Sequence, residues 1–232
     1  MTWTNDHTSV SDDCGASGST TVIFTATDDC GNASTSEATF TIEDTSETTI
    51  DLPAVALTLE CDAANQQTLI DAWLANNGGA TADDVCSPTN LIWTNNYTAG
   101  IENTDCGASG TVLVTFTATD DCGLFVQTTA GLTIEDNTAP SIDIAAVDET
   151  VECDGAGNIV ELNAWLANNG GAVASDGCGD VTWTNDHTSV SDDCGASGST
   201  TVIFTATDDC GNTSTSEAVS YTHLTLPTIY AV

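Results

Sequence analysis

Apolar and polar positions alternate through Ser141–Val147 and again through Glu149–Asp154, the period-two pattern of short half-buried strands, and Gly155 closes the second. The period then changes. Leu162, Trp165 and Leu166 recur at helical spacing, which predicts a two-turn helix over Leu162–Asn169 with one apolar face. Asn158-Ile-Val-Glu161 reads as its capping box and Gly170 as its C′ stop. The same face recurs at Leu69, Ile70, Trp73 and Leu74 ahead of Gly78. A strand is predicted at Val181–Asn185, then a polar loop through Cys194. The strongest strand signal, Thr200–Thr207 (TTVIFTAT), leads into a tight turn at Asp208–Asn212, and Ser36–Glu43 shows the closing strand. Threonine, valine and phenylalanine at this density favour strand, and Gly, Asn and Asp punctuate the turns.

These elements recur because the chain is built of copies. Trp3 to Asn32 and Trp183 to Asn212 are identical, and Trp93 to Gly123 is a looser version. Matching cysteines lie 92 positions apart from Cys14 to Cys106 and 88 apart from Cys106 to Cys194. Self-similarity at such a period marks a tandem array of small domains. The frame gives a partial copy at 1–45, a complete one at 46–137 and a nearly complete one at 138–218. Met1 aligns with Val181, in mid-copy. From Val219 to Thr228 (VSYTHLTLPT) the repeat is lost; this stretch resembles a translated sequencing adapter, so residues 219–232 are read as a non-native tail.

Charge narrows the function classes. The 232 residues hold no Lys or Arg against 35 acidic residues. Every carboxylate must therefore be solvated, hydrogen-bonded or bound to a metal. Phosphate recognition rests on Lys and Arg, which excludes nucleic acid as a partner. Direct membrane insertion is not expected either. Ten cysteines fall two, four and four among the copies with no Cys-x-x-Cys, which indicates disulfides and an oxidising, extracellular compartment.

Several short strands per copy make tandem immunoglobulin-like β-sandwiches, all-β with a short inserted helix, the expected architecture. The run Val202 to Asn212 (VIFTATDDCGN) and the linker Thr133 to Pro140 (TIEDNTAP) resemble hyalin-repeat and related immunoglobulin-like modules. Versions carrying a helix like Asn163 to Ala172 (NAWLANNGGA) are similar to those strung along large secreted surface proteins of Bacteroidota. The resemblance implies a bacterial cell-surface location and an adhesive or spacing role. It does not carry a disulfide pairing.

Cys194 and Cys210 flank a strand of roughly eight residues, whose ends lie about 25 Å apart, too far for a bridge. If the sandwich has immunoglobulin order, Cys178 pairs with Cys210 and Cys153 with Cys194. The equivalent pairs in the second copy are Cys86 with Cys122 and Cys61 with Cys106. Cys153–Cys178 with Cys194–Cys210 is the competing scheme. Cys14 and Cys30 are expected to lack partners.

Aspartates gather in turns. The Glu135-Asp136 linker is expected to approach Asp176 and the Asp208-Asp209 turn, and Glu43-Asp44 to approach Asp83-Asp84 and Asp120-Asp121. Calcium takes six to eight oxygens from such loops and could fix the angle between domains. Solvated acids in good turn sequences are the alternative. His7 and His187 match Tyr97 of the second copy, which argues against a general base, and no catalytic residue is assigned. Two functions stand: a stalk or spacer whose partners are neighbouring repeats, or a multivalent module contacting cell-surface glycans or proteins. A row of exposed Trp residues would favour the second.

Overall fold

Alternation of threonine with apolar residues does build strands, and those at Gly18–Thr27, Gly110–Thr119 and Gly198–Asp208 run into Asp-Asp-Cys-Gly turns. The computed structural model describes residues 1–87, 91–98, 105–154, 158–191 and 197–223. Gly155, Cys194, the Asp192-Asp193 pair and positions 224–228 lie outside the described residues. The first copy holds β1 (Thr2–Asn5), β2 (Gly18–Thr27) and β3 (Ala33–Ile42). The second holds β4 (Thr49–Leu52), β5 (Leu57–Glu60), α1 (Gln66–Ala75), β6 (Thr81–Asp83), β7 (Ile92–Asn95), β8 (Gly110–Thr119) and β9 (Phe125–Glu135). The third repeats that order as β10 (Ser141–Ile144), β11 (Glu149–Glu152), α2 (Ile159–Ala167), β12 (Val173–Ser175), β13 (Val181–Asn185), β14 (Gly198–Asp208) and β15 (Thr213–His223).

The fold is all-β, and the complete copies are immunoglobulin-like sandwiches with a short inserted helix. Each has a four-stranded sheet, in the order β5-β9-β8-β7 or β11-β15-β14-β13, and a two-stranded one, β4-β6 or β10-β12. The first copy contributes β1-β2-β3. β13 and β14 pair antiparallel, with Trp183 opposite Ala206, whereas β11 runs parallel to β15, with Glu149 opposite Ser220. β15 thus continues through Val219–His223, beyond the point where the copies diverge.

Chain contacts divide the molecule into two compact units. One comprises Met1–Thr58, Gln67–Gly100 and Val112–Leu132. The other comprises Leu59–Gln66, Ile101–Thr111 and Thr133–Val232.

In the second unit the inward face of β14 carries Val202, Phe204 and Ala206, all fully buried. Trp165 of α2 closes over Phe204 edge-on at 5.2 Å, while Leu162, Leu166, Ala146 and Trp183 surround the pair. Such an aromatic contact adds about 1 kcal/mol to simple burial. In the first unit Trp73 meets Phe116 in the same way, also at 5.2 Å. Each indole N–H is satisfied by a backbone carbonyl, Val147 for Trp165 and Val55 for Trp73. The helical face expected from sequence is therefore the one that packs.

The cap is different. Asn158 takes a left-handed conformation (φ 51°) and makes no side-chain cap bond to α2. Its amide Nδ2 donates to the Glu152 carbonyl at 2.9 Å, and its backbone N–H donates to Asp154 Oδ1 at 3.0 Å. A side chain turned back to close the loop after β11 cannot also receive the helix N–H groups, so no capping box forms with Glu161. The C-terminal stop is also displaced: α2 ends at Ala167 with Asn168 as its C-cap, so Asn169 (φ 54°) is the left-handed C′ residue, and Gly170 (φ 64°) follows inside a short 3-10 turn, against the Phe204 ring.

Candidate functional site

Among the described residues, the bridged cysteines pair between copies. Cys14 joins Cys122 in the first unit, and Cys61 joins Cys178 and Cys106 joins Cys210 in the second. The Cα atoms lie 5.2, 5.7 and 5.0 Å apart. None of the intra-copy pairs involving Cys61, Cys86, Cys106, Cys122, Cys178 or Cys210 forms. Cys14, expected to be alone, is bridged; Cys30 is unbridged and exposed, and Cys86 is unbridged and half-buried. The exclusion of pairing along a strand survives. The error lay in taking one sandwich as the closed unit, when the partner of each bridged cysteine sits one copy away.

The loop Cys-Gly-Ala-Ser explains how. Ser109 Oγ donates to the Cys106 carbonyl at 2.6 Å and curls the loop. Ala108 N–H then donates to the Cys178 carbonyl at 2.7 Å. Gly107, at φ 52°, packs so closely that an added Cβ would lie 2.5 Å from that carbonyl oxygen. Ala16 N–H reaches the Cys86 carbonyl at 3.0 Å in the same way, beside Gly15 at φ 53°. The Cys-Gly-Ala-Ser loop is a docking element.

Next to these bridges lie two nests of acids. Asp136, Asp176 and Asp208 bring carboxylate oxygens within 4.8 Å of one another in the second unit, and Asp44, Asp84 and the Cys86 thiol do so in the first. The linker and turn acids expected to approach each other supply both groups. Each aspartate uses Oδ1 to hold its own turn. Asp84 Oδ1 accepts from Cys86 N–H at 2.8 Å and Ser87 N–H at 2.9 Å, and Asp176 Oδ1 accepts from Cys178 N–H at 2.7 Å. Asp120 Oδ1 accepts from Cys122 and Leu124.

The other oxygens of Asp44, Asp84 and Asp120 are buried with no hydrogen-bond partner, and Asp84 and Asp120 are only 3% and 4% exposed. Glu43, Asp83, Glu135, Asp121 and Asp209 stay outside the nests, and all five are exposed. Asp209 instead accepts from Asp180 N–H at 3.0 Å.

Burial, then the nearby Asp176, Asp208 and Glu60 carboxylates, push Asp136 above the ordinary carboxylate value. Burial acts on Asp208 too, but hydrogen bonds from Asn212, Cys210 and Gly211 outweigh it and hold this acid below the ordinary value.

Indole exposure is uneven. Trp165 is buried, Trp73, Trp93 and Trp183 are half-buried, and Trp3 is 65% exposed. His187 Nδ1 lies 3.3 Å from Thr200 Oγ1, and His7 is exposed. Among the described residues no helix is long and apolar enough to cross a membrane.

No family model matches the chain, and no curated protein matches it either. Among solved structures it is similar to Drosophila N-cadherin EC1-4 at 10% identity and a TM-score of 0.35, covering 90% of this chain and 58% of that one. It is similar to mouse clustered PcdhgC3 EC1-3 at 10% identity and a TM-score of 0.33, covering 93% and 80%. The human Desmocollin-1 ectodomain matches at 10% identity and a TM-score of 0.29, covering 89% and 47%. The chain thus spans little more than half of the N-cadherin fragment and under half of the desmocollin ectodomain.

Proposed function

We propose that the chain is an extracellular structural or adhesive repeat array, a stalk or spacer within a larger surface protein, whose copies are fastened to one another by disulfides and braced by calcium. The inter-copy bridging carries this reading: three bridges at matching positions resist separation of successive copies and persist only in an oxidising compartment. The half-buried state of Trp73, Trp93 and Trp183 favours a spacer over a glycan platform, because a stacking surface needs its ring faces open. No residue is assigned a catalytic role.

The acid nests suit a hard cation. A buried carboxylate oxygen without a donor costs free energy unless a cation or proton meets it. This chain has no Lys or Arg to supply that charge. Asp136, Asp176 and Asp208 would hold calcium in one nest and Asp44 and Asp84 in the other; Asp120, with its own orphaned oxygen, is a further oxygen source. Calcium bound there would neutralise the crowded acids and tie the interdomain linker to the turns.

The test is a thermal melt of the oxidised chain with calcium and with chelator. Calcium should raise the melting temperature by several degrees, and magnesium at equal concentration by less, because its smaller shell tolerates irregular ligands poorly. Identical melts would remove calcium from the proposal and leave the disulfide-fastened spacer.

A further inference from the structure

Cys86 holds in the second copy the place of Cys178 in the third, and Cys30 holds in the first the place of Cys122 and Cys210. The three bridges follow two patterns, each running one copy forward. The cysteine of the Cys-Gly-Ala-Ser loop joins the turn cysteine one copy later, as in Cys14–Cys122 and Cys106–Cys210. The cysteine after the second strand of a complete copy joins the one after its short third strand, again one copy later, as in Cys61–Cys178. Cys30 and Cys86 are both receiving positions, and neither is bridged.

The seat around Cys86 is already built as it is around Cys178. Its carbonyl accepts from Ala16 N–H at 3.0 Å, where that of Cys178 accepts from Ala108 at 2.7 Å. Its N–H is held by Asp84 Oδ1 at 2.8 Å, where that of Cys178 is held by Asp176 at 2.7 Å. Beside it, Asp84 Oδ2 and Ser87 Oγ are buried without partners.

We propose that Cys86 is the receiving half of an inter-copy disulfide whose other half is a cysteine at the Cys61 position of a preceding copy of this repeat. Cys30 receives, by the loop-to-turn pattern of Cys14–Cys122 and Cys106–Cys210, the loop cysteine of the copy before its own. Each bridge forms when two thiols give up two protons and two electrons to a disulfide oxidant such as oxidised glutathione, which leaves as two thiols. The inference rests on the reading of the chain as a serial array and adds to it the covalent grammar by which further copies attach.

Residues 138–180, duplicated ahead of Met1 with Cys178→Ser in the duplicate, rebuild a complete first copy with one new cysteine, at the Cys61 position. A Val151→Ile change in the duplicate marks its peptides by mass. Both chains are refolded in a glutathione buffer, alkylated in denaturant without reductant, and mapped after peptic digestion, trypsin having no site. In the original chain Cys86 and Cys30 should be alkylated, and Cys14, Cys61, Cys106, Cys122, Cys178 and Cys210 protected. In the extended chain alkylation of Cys86 should fall at least tenfold and a peptide joining it to the added cysteine should appear. Cys30 should stay alkylated, because the extension supplies no loop cysteine for it.

The rule falls if Cys86 stays alkylated, or if the added cysteine pairs within its own copy. That result would leave the array reading standing, since the other three bridges are read in the same map. An extended chain carrying Cys86→Ser should leave the added cysteine alkylatable, and its finding another partner would equally overturn the rule. In the unextended chain, any bridge joining Cys86 to Cys61 or Cys122 would do so without depending on how the extension folds.

Discussion

The side-chain amide of Asn212 donates to Asp208 Oδ2 at 2.9 Å, and this one contact separates two otherwise matching turns. In the second copy Leu124 stands where Asn212 stands in the third. Its backbone N–H still reaches Asp120 Oδ1 at 2.8 Å, but it has no amide to offer, and Asp120 Oδ2 is buried without a partner. Leu124→Asn should therefore stabilise the chain by about 1 kcal/mol in the presence of chelator. A urea denaturation curve reads this, and an unchanged or lower midpoint would show that the orphaned oxygen costs nothing.

Loss of the Cys106–Cys210 bridge should be expensive. It closes a loop of 104 residues, for which the chain-entropy account gives about 4–5 kcal/mol. Overlap with the loop from Cys61 to Cys178 reduces that to about 3 kcal/mol for a Cys106→Ser, Cys210→Ser double variant. Cys30→Ser, at an exposed unbridged position, should change the stability read from the urea curve by less than about 0.5 kcal/mol. Equal effects would contradict the bridging.

Gly107→Ala should cost about 2–3 kcal/mol. The residue sits at φ 52°, and its new methyl would press on the Cys178 carbonyl oxygen. Gly211 provides the control: at φ 90° it has nothing within 4 Å of a built Cβ, so Gly211→Ala carries only the backbone penalty, about 1 kcal/mol. Thermal melts of the two variants should rank in that order.

Trp165→Ala should destabilise by about 3–5 kcal/mol, since it opens a cavity over Phe204 and strands the Val147 carbonyl that accepts from the indole. Trp3→Ala removes a ring that is 65% exposed and should change stability by no more than about 0.5 kcal/mol. Comparable losses would place the first copy's tryptophan in a core.

Acid should weaken calcium binding. The folded value of Asp136 lies above its ordinary 3.8, so the native chain takes up this proton more readily than the unfolded chain. Its contribution favours folding in acid and is lost as pH rises through that raised value. Asp208 has the opposite sign: its lowered value gives stability that is present above 3.8 and lost as pH falls through the lower value. Calcium competes with the Asp136 proton. The calcium-dependent rise in melting temperature should shrink as pH falls through the raised value of Asp136. A pH-independent increment would exclude Asp136 as a ligand.

Strands, helix face and acid nests were legible because local pattern decides them. Phe204 and Trp165 occupy alternating and helical positions that have one way to be buried, and the Asp136 linker precedes each new copy at a fixed spacing. Asn158 misled because an asparagine before a helix is equally suited to closing the loop behind it, and the left-handed backbone chose the latter. Pairing was not legible. Cysteine spacing constrains which partners are too far along a strand, yet nothing local to Cys106 distinguishes a partner in its own copy from one a copy later. The Gly107 approach to Cys178 is the signal that could have been sought: two small residues after a cysteine, kept in all three copies, mark a backbone that must come close to something.

Overlap of the covalent loops sets how far the chain can be drawn out. Cys14 and Cys210 are 196 positions apart, a contour of about 650 Å if pulled straight. Through the bridges the route runs from Cys14 to Cys122, back along the 16 positions to Cys106, and across to Cys210. That shortcut is about 55 Å long. A tether wired in this manner would surrender almost no slack when its sandwiches rupture, and load would pass to sulfur–sulfur bonds before the polypeptide could pay out.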